Sequence, residues 1–396
     1  MIHKNYFKLD ESLIVSRLHQ KELLDIQRSA DVDAKFFPLV TKSHLTPFFS
    51  HLPKDFALEL QFIGNKVLSA RFDRGFFGFG LLELLQGLSA YEALPEVSRL
   101  HILSPIFYQM ALLLAFERLT DTPTSEHQGL HRAIALEFSR IAHHITVVKN
   151  IVLCLELTSL VKMLDELQGL LKNPVATLSR IHQEEHLSAK PVTLVETHDA
   201  VFDGLMLVEE IAALSHDDKL VEALAKKCFI NITTASSLGL TGPFLRAHHV
   251  PYDLRLNQPL RDMYGLPPAI SLTDGGDAWA RLALRLLEIG ASLRWLKPAL
   301  YRFEKQAVQI DPIVVGITCC QTAPKKRFAF GEVEGPEGDV KIGIFTGAST
   351  DSYVARVRSP AYFIGQAIPH LFSHITISEI PLLLYCLGIT PPEIDQ

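Results

Sequence analysis

Leu130-His-Arg-Ala-Ile-Ala-Leu-Glu-Phe-Ser-Arg-Ile-Ala-His-His-Ile145 decides how this chain is read. Ile134, Leu136, Phe138, Ile141 and Ile145 recur at helical spacing. Glu137, Arg140 and His144 then share one face of that helix. Charges in so apolar a helix are costly unless they find partners. The stretch therefore predicts a buried helix, and leaves two readings of its charges open. They form either an ion-paired seam between packed helices or the polar wall of a buried cavity.

Working outward, the helical period runs from Leu130 to Leu171, with Gly169 and Pro174 marking its expected end. The same spacing predicts helices over Leu81–Ala90, Pro105–Leu119, Val201–Ser215, Leu220–Ala235 and Asp277–Tyr301. Phe56–Gly64 alternates, and Asn65-Lys66 supplies a turn, which reads as a hairpin within residues 55–72. Residues 239–270, rich in Gly and Pro, read as an ordered loop. Strand patterns return in Val333–Pro336, Val340–Thr346 and Tyr353–Arg358. The fold class is α+β: mainly a helical bundle, with a small antiparallel β-sheet assembled from both ends. Residues 1–50 read as an N-terminal adaptor segment and residues 51–396 as one domain.

Composition narrows the function. Hydrophobic residues make up 48% of the 396 and charged residues 21%, which excludes a disordered chain. A mean hydropathy of +0.18 fits a subunit that buries surface against partners. No run reaches the ~18 apolar residues of a membrane-spanning helix, and Met1–Lys8 carries no signal-peptide core. A net charge of −6 without a basic run excludes nucleic acid as a partner. Cys154, Cys228, Cys319, Cys320 and Cys386 form no Cys-x-x-Cys pair and read as reduced thiols.

Several motifs carry chemistry. His182-Gln-Glu-Glu185-His186 matches an inverted zincin pattern, with Glu185 as general base; Lys190-Pro191 breaks it, so a solvated loop or helix end competes with zinc. Gly242–Arg255, with Asp253, Arg255 and the His248-His249 pair, is either a structured connector or a rigid loop over a functional face. Asp277 can cap a helix, and Arg281, Arg285 and Glu288 follow it on one face, which predicts a local ion ladder. The glycines from Gly75 to Gly80 match neither a dinucleotide fingerprint nor a P-loop.

Taken in order, these stretches resemble the D-class subunit of respiratory NADH-quinone oxidoreductase (complex I), a family related to nickel-iron hydrogenase large subunits. The resemblance runs from Gly64 to Gln396. It is carried by Gly64–Gly80, Ala93-Leu94-Pro95, Arg99-Leu100, Ser104-Pro105 and the 131–144 helix. It continues through Gly242, Leu245-Arg246, Tyr252–Arg255, Gln258-Pro259 and Gly276-Asp277…Arg281…Arg285…Glu288…Ser292. Glu334–Gly338, Arg356–Pro360 and Glu393-Ile394-Asp395 complete it. The resemblance implies a hydrogenase-large-subunit-like fold and a subunit that binds no cofactor itself. It would pack on an iron-sulfur subunit and wall a quinone cavity. It would lie peripherally on the cytoplasmic side of the inner (plasma) membrane, joined to a membrane arm through protein contacts. Without the two Cys-x-x-Cys pairs of the hydrogenases it could not hold nickel, and no metal is expected.

The family's quinone site is altered here. A displaced His51 is all that remains of its headgroup histidine turn. The quinone-bonding tyrosine falls at Ile102, with His101 beside it, and the acidic partner falls at Cys154. A histidine segment reads Asp73–Gly80. Arg99, His101, Ile102, Arg140, His144, Cys154 and Asp73 are the residues expected to line the cavity. Quinone reduction needs proton donors aimed at the carbonyl oxygens, so either His101, His51 or Asp73 has taken over that role or the chain is a non-catalytic scaffold paralogue.

Overall fold

The computed structural model describes residues 41–44, 57–72, 80–86, 88, 90–178, 194–214, 216–266, 268–306, 327–346, 353–373, 375–390 and 393. His51, Asp73, Gly75–Phe79, His182–His186, Cys319 and Cys320 lie outside them.

The 130–145 stretch belongs to α4 (Glu126–Cys154), which starts at a capping box. The Ser125 hydroxyl accepts the Gln128 N–H, and the Gln128 side chain accepts the Ser125 N–H, both at 3.2 Å. The helix stops earlier than its apolar period suggests. Glu156 takes φ 57°, and the Leu157 and Glu156 amides return to the carbonyls of Val152 and Leu153. This is a Schellman ending with Glu where Gly is usual, a signal the sequence hides. The rest of the expected helix is a separate element, α5 (Thr158–Leu178), which runs through Gly169 and Pro174 instead of ending there.

With α6 (Leu194–Leu214) and α11 (Ala278–Gln306), these helices close a four-helix ring: α4 packs on α5 and α11, and α6 packs on the same two. The helix expected over Leu220–Ala235 is two, α7 (Asp218–Leu224) and α8 (Ile232–Ser237). Between them Lys226 and Cys228 have positive φ. Tertiary bonds impose the break: Asp277 accepts the Lys226 N–H at 2.7 Å, and Arg281 donates to the Cys228 carbonyl at 3.0 Å.

Two three-stranded antiparallel sheets form, not one shared by both ends. The first is β1 (Thr41–His44), β2 (Ala57–Ile63) and β3 (Lys66–Phe72), with Gly64-Asn65 as its hairpin turn. Because Thr41 pairs with Leu60, this sheet crosses the boundary expected at residue 50. The second is β4 (Phe328–Gly335), β5 (Gly338–Thr346) and β6 (Tyr353–Arg358). It packs on α3 (Ile106–Thr120), a helix buried except at Arg118. Short helices α1 (Leu81–Leu85) and α2 (Ala90–Val97) precede α3; α9 (Pro243–Arg246) and α10 (Leu260–Tyr264) lie in the 239–270 loop; α12 (Pro360–Leu371) and α13 (Ile380–Leu387) follow the second sheet.

Glycine sets the distance between sheet and helix. A Cβ on Gly331 would sit 1.9 Å from the Ala111 carbonyl oxygen. The β4–β5 hairpin turns through Pro336-Glu337 alone, since Gly335 pairs with Gly338. Its tip is buried from Val333 to Val340, an unusual fate for a turn, whose polar groups normally need water. The tip enters the seam between the bundle core and the α3–sheet core, and the charges gathered there explain how it is tolerated.

Candidate functional site

Four guanidiniums, Arg140, Arg246, Arg255 and Arg285, are buried in this seam with Glu137, Asp253, Glu288, Glu334 and Glu337. α4 contributes Glu137, Arg140, His143 and His144. α11 contributes Arg285, Glu288 and Ser292, the 242–255 loop Arg246, Asp253 and Arg255, and the hairpin tip Glu334 and Glu337.

The pairings are specific. Glu137 accepts from Arg255 at 3.1 Å, Arg140 at 3.3 Å, the Tyr264 hydroxyl at 2.7 Å and the Ser292 hydroxyl at 2.5 Å. Arg140 also donates to the hairpin carbonyls of Gly335 (3.1 Å) and Glu334 (2.5 Å). Arg285 grips both oxygens of Glu337, at 2.5 and 2.7 Å. This two-point geometry is what a guanidinium is shaped for. Arg246 donates to Glu288 at 2.6 Å and Glu334 at 2.7 Å. Arg255 holds Asp253 at 2.6 Å.

Burial alone would raise the Glu337 pKa, but Arg285 and His143 hold it well below the usual carboxylate range. Arg246 and His144 do the same for Glu288. Glu334 moves the other way: burial, then the neighbouring charge of Asp253, pushes it up. The carboxylates outnumber the guanidiniums, and among Glu288, Glu334 and Glu337 it is Glu334 that burial makes easiest to protonate.

Hydrogen bonds fix the histidines. His144 meets Glu288 through Nε2 at 2.8 Å and an Arg285 N–H through Nδ1 at 3.3 Å. Arginine only donates, so Nδ1 accepts and the ring is the neutral Nε2–H tautomer. Burial lowers its pKa to about 4. His131, also buried, falls to about 4. Both values lie below the ~6.5 of a free imidazole. The unfolded chain therefore binds protons that the native state refuses, and stability falls as pH drops from about 6.5 toward 4. In an NMR titration the His131 and His144 rings are expected to stay unprotonated at pH 5.5, with the urea midpoint falling between pH 7 and 5. A His144 that titrates near 6.5 would break this assignment.

The residues expected to line the cavity separate into groups. His101 is buried; its Nδ1 accepts the Leu103 and Ser104 N–H groups at 3.1 Å each. Its Nε2 lies 3.5 Å from Glu393, which Tyr108 also bonds at 2.6 Å. Ser104 links His101 to His143, which bonds Glu337 at 2.7 Å. His101 thus joins Arg140 and His144 at one network. Arg99 and Ile102 are at the surface, Arg99 paired with Glu96 at 3.1 Å and Ile102 43% exposed. Cys154 lies eleven residues beyond His143 on α4, about 16 Å at 1.5 Å per residue, with burial raising its thiol to about 12. A cavity of about 470 Å³ opens among Leu114, Arg132, Pro259, Leu260 and Met263; none of the expected residues lines it. Of the two readings of the 130–145 charges, the ion-paired seam is the one the geometry supports.

The local ladder predicted on α11 does not form. Asp277 caps the helix by accepting the Ala280 N–H at 2.8 Å, but Arg281 serves the Gly276 and Cys228 carbonyls, and Arg285 and Glu288 reach other elements. The His248-His249 pair is split: His248 bonds the Ile230 carbonyl at 2.7 Å, while His249 points to Asp274 at the surface. His143, His144 and Glu337 bring ligand-type atoms within 4.8 Å of one another. Arg285 already supplies the positive charge there, gripping Glu337 and donating to His144, so this donor set does not fit a metal ion.

Sequence reading missed Glu337, Tyr264 and Tyr108 as network members. Glu337 sits in a two-residue turn where exposure is the rule, and both tyrosines match ordinary core positions.

Comparison with known proteins agrees with the sequence reading. The family described as respiratory-chain NADH dehydrogenase, 49 Kd subunit, matches residues 205–329. A D-class subunit of NADH-quinone oxidoreductase from Chloroherpeton thalassium is 23% identical over 367 residues, 85% of this chain and 83% of that protein. The D-class subunit of F(420)H(2) dehydrogenase from Methanosarcina mazei is 23% identical over 372 residues, 89% and 97% respectively. The D-class subunit of NADH-quinone oxidoreductase from Ehrlichia canis is 25% identical over 353 residues, 80% and 88%. No described helix is long and apolar enough to cross a membrane.

Proposed function

We propose that this chain, which resembles the D-class proteins of NADH-quinone oxidoreductase over most of its length, fills the same place in a complex I-like oxidoreductase. The observation that carries this reading is the extent of the likeness, 80–89% of the chain in the relatives named above. The family match at 205–329 also takes in Arg246, Asp253, Arg255, Arg285 and Glu288, five of the nine buried arginines and carboxylates of the seam. Among the relatives the donor in the name changes from NADH to F(420)H(2). That fits a subunit which does not itself choose the donor.

In this reading the chain binds no redox cofactor. Iron-sulfur clusters belong to a partner subunit, and attachment to a membrane arm, on the cytoplasmic side, is through protein contacts. Arg99 and Ile102 form the exposed part of a quinone wall completed by other subunits, with Asp73 and Cys154 further candidates for it. His101, Arg140 and His144 stand behind the wall as rigid support. His101 cannot serve as an imidazolium acid, because two backbone N–H groups already occupy its Nδ1; a quinol proton would come from elsewhere. This favours a second reading, a scaffold that keeps the fold and the partners without quinone chemistry.

The test is capture of the tagged full-length protein from detergent-solubilised membranes. Co-purifying subunits are identified by mass spectrometry, iron-sulfur clusters by paramagnetic resonance, and quinone reduction is assayed with Ile102→Arg alongside wild type. An iron-sulfur assembly whose quinone reduction falls about ten-fold or more in Ile102→Arg supports the quinone wall. An assembly without quinone reduction, or one indifferent to Ile102→Arg, supports the scaffold. A chain that purifies alone overturns both.

A further inference from the structure

The outer face of the β4–β6 sheet carries a cluster of exposed aromatic rings. Strand alternation turns Ala329, Gly331 and Val333 inward with Ile342 and Ile344, and turns Phe328, Phe330 and Phe345 outward. These three are 46%, 42% and 47% exposed. Phe328 and Phe345 are cross-strand partners, stacked at 4.6 Å, and Phe330 lies 6.1 Å from Phe328. Gly343, opposite Phe330, lets the Phe328 and Phe345 rings lie close over the strand, 3.5 and 3.9 Å from where a Cβ would sit.

The rim is basic. The Arg118 guanidinium lies 5.1 Å from the Phe330 ring and donates to the Phe330 carbonyl. Arg327 and Arg356 are exposed and make no ion pair among the described residues. Arg356 sits across from Gly343. The carboxylates of Glu332 and Asp339 on this face are engaged by Lys341, at 2.9 and 3.8 Å, and Asp339 also by Arg358 at 3.5 Å. An arginine rim on a chain of net charge −6 makes this face complementary to an acidic surface.

We propose that the Phe328–Phe330–Phe345 face docks another protein of the same assembly, one presenting apolar side chains ringed by carboxylates. The proposal rests on the reading of the chain as an oxidoreductase subunit. Aromatic residues and arginine are the types that concentrate in interface centres and carry most of the binding energy. The rings are held by a paired sheet whose other face is fixed on α3, so they present a preformed surface. A second copy docked face to face would set arginine rim against arginine rim, so the charge pattern disfavours that pairing and selects an acidic partner.

The experiment uses the tagged full-length protein in its own cells, wild type against Phe328→Ser/Phe345→Ser, with a photo-crosslinking residue at position 330 in a third strain. We expect wild type to capture the assembly, the double variant to recover at least about ten-fold less of it with unchanged circular dichroism, and the crosslink to reach one identified subunit through an acidic peptide. If wild type captures the assembly and the double variant captures as much, this proposal falls while the subunit reading stands. A crosslink to a second copy, or Phe345-dependent flotation of the purified chain with anionic lipid vesicles, also overturns it. If wild type captures no assembly, the subunit reading falls and takes this proposal with it.

Discussion

Arg246→Leu is expected to cost about 3–5 kcal/mol, the range seen when one partner of a buried ion pair is removed. Arg246 is fully buried and touches Glu288, Glu334 and the Tyr252 carbonyl, with Asp253 at 3.6 Å. Leucine fills part of the volume but leaves these carboxylates to one another and to a low-dielectric interior. The deficit should depend on pH in a definite sense. Without the guanidinium, Glu288 loses the charge that holds its pKa down and rises above its unfolded value, and Glu334, already raised, rises further, so the native variant binds more protons than the unfolded chain. Its stability then falls as pH rises. Urea unfolding at pH 5 and pH 8 is expected to show the variant further below wild type at pH 8. An equal deficit at both pH values would mean that Arg246 acts by packing and not by charge.

Gly331→Ala is expected to cost at least about 3 kcal/mol, the upper part of the overpacking range, although it adds a single methyl group. The added Cβ would lie 1.9 Å from the Ala111 carbonyl oxygen and 2.7 Å from the Ala115 N atom, both within the backbone of a buried helix. Neither atom can rotate away, so β4 must lift from α3, and the hairpin tip is drawn from the arginines with it. The contrast is Gly64→Ala: a Cβ there meets nothing within 4 Å, and only its φ of 61° is unfavourable. Thermal melts of the two variants should differ by several degrees or more. Similar melting temperatures would show that α3 and β4 separate freely.

How far the sequence could be read follows from these residues. The apolar period of α4 and the charges it carries were plain, because a buried charged helix has a pattern that solvated helices lack. The partners of those charges were not. Arg285 and Glu288 lie at local spacing, and local pairing was the simplest solution; only the fold shows that the Arg285 partner comes from a hairpin 52 residues away and that Glu288 meets α4 and the 242–255 loop. The Schellman turn at Glu156 was hidden because no Gly or Asn marks it. The break at Lys226–Cys228 was hidden because tertiary hydrogen bonds impose it. Ile102 and Cys154, placed on one wall by resemblance, are separated by a length of helix that no motif records.

The buried hairpin tip also bears on how the chain comes to its native state. Arg285 of α11 has its counter-ion, and Arg140 of α4 two of its carbonyl acceptors, in a turn far along the chain, so the bundle cannot shed its water and close until that turn has arrived. Closure of the helices and seating of the sheet are then a single event, with native contacts of long sequence separation at its centre. A half-assembled protein would keep this seam wet and open, and would betray itself to cellular quality control before it could be built into anything larger.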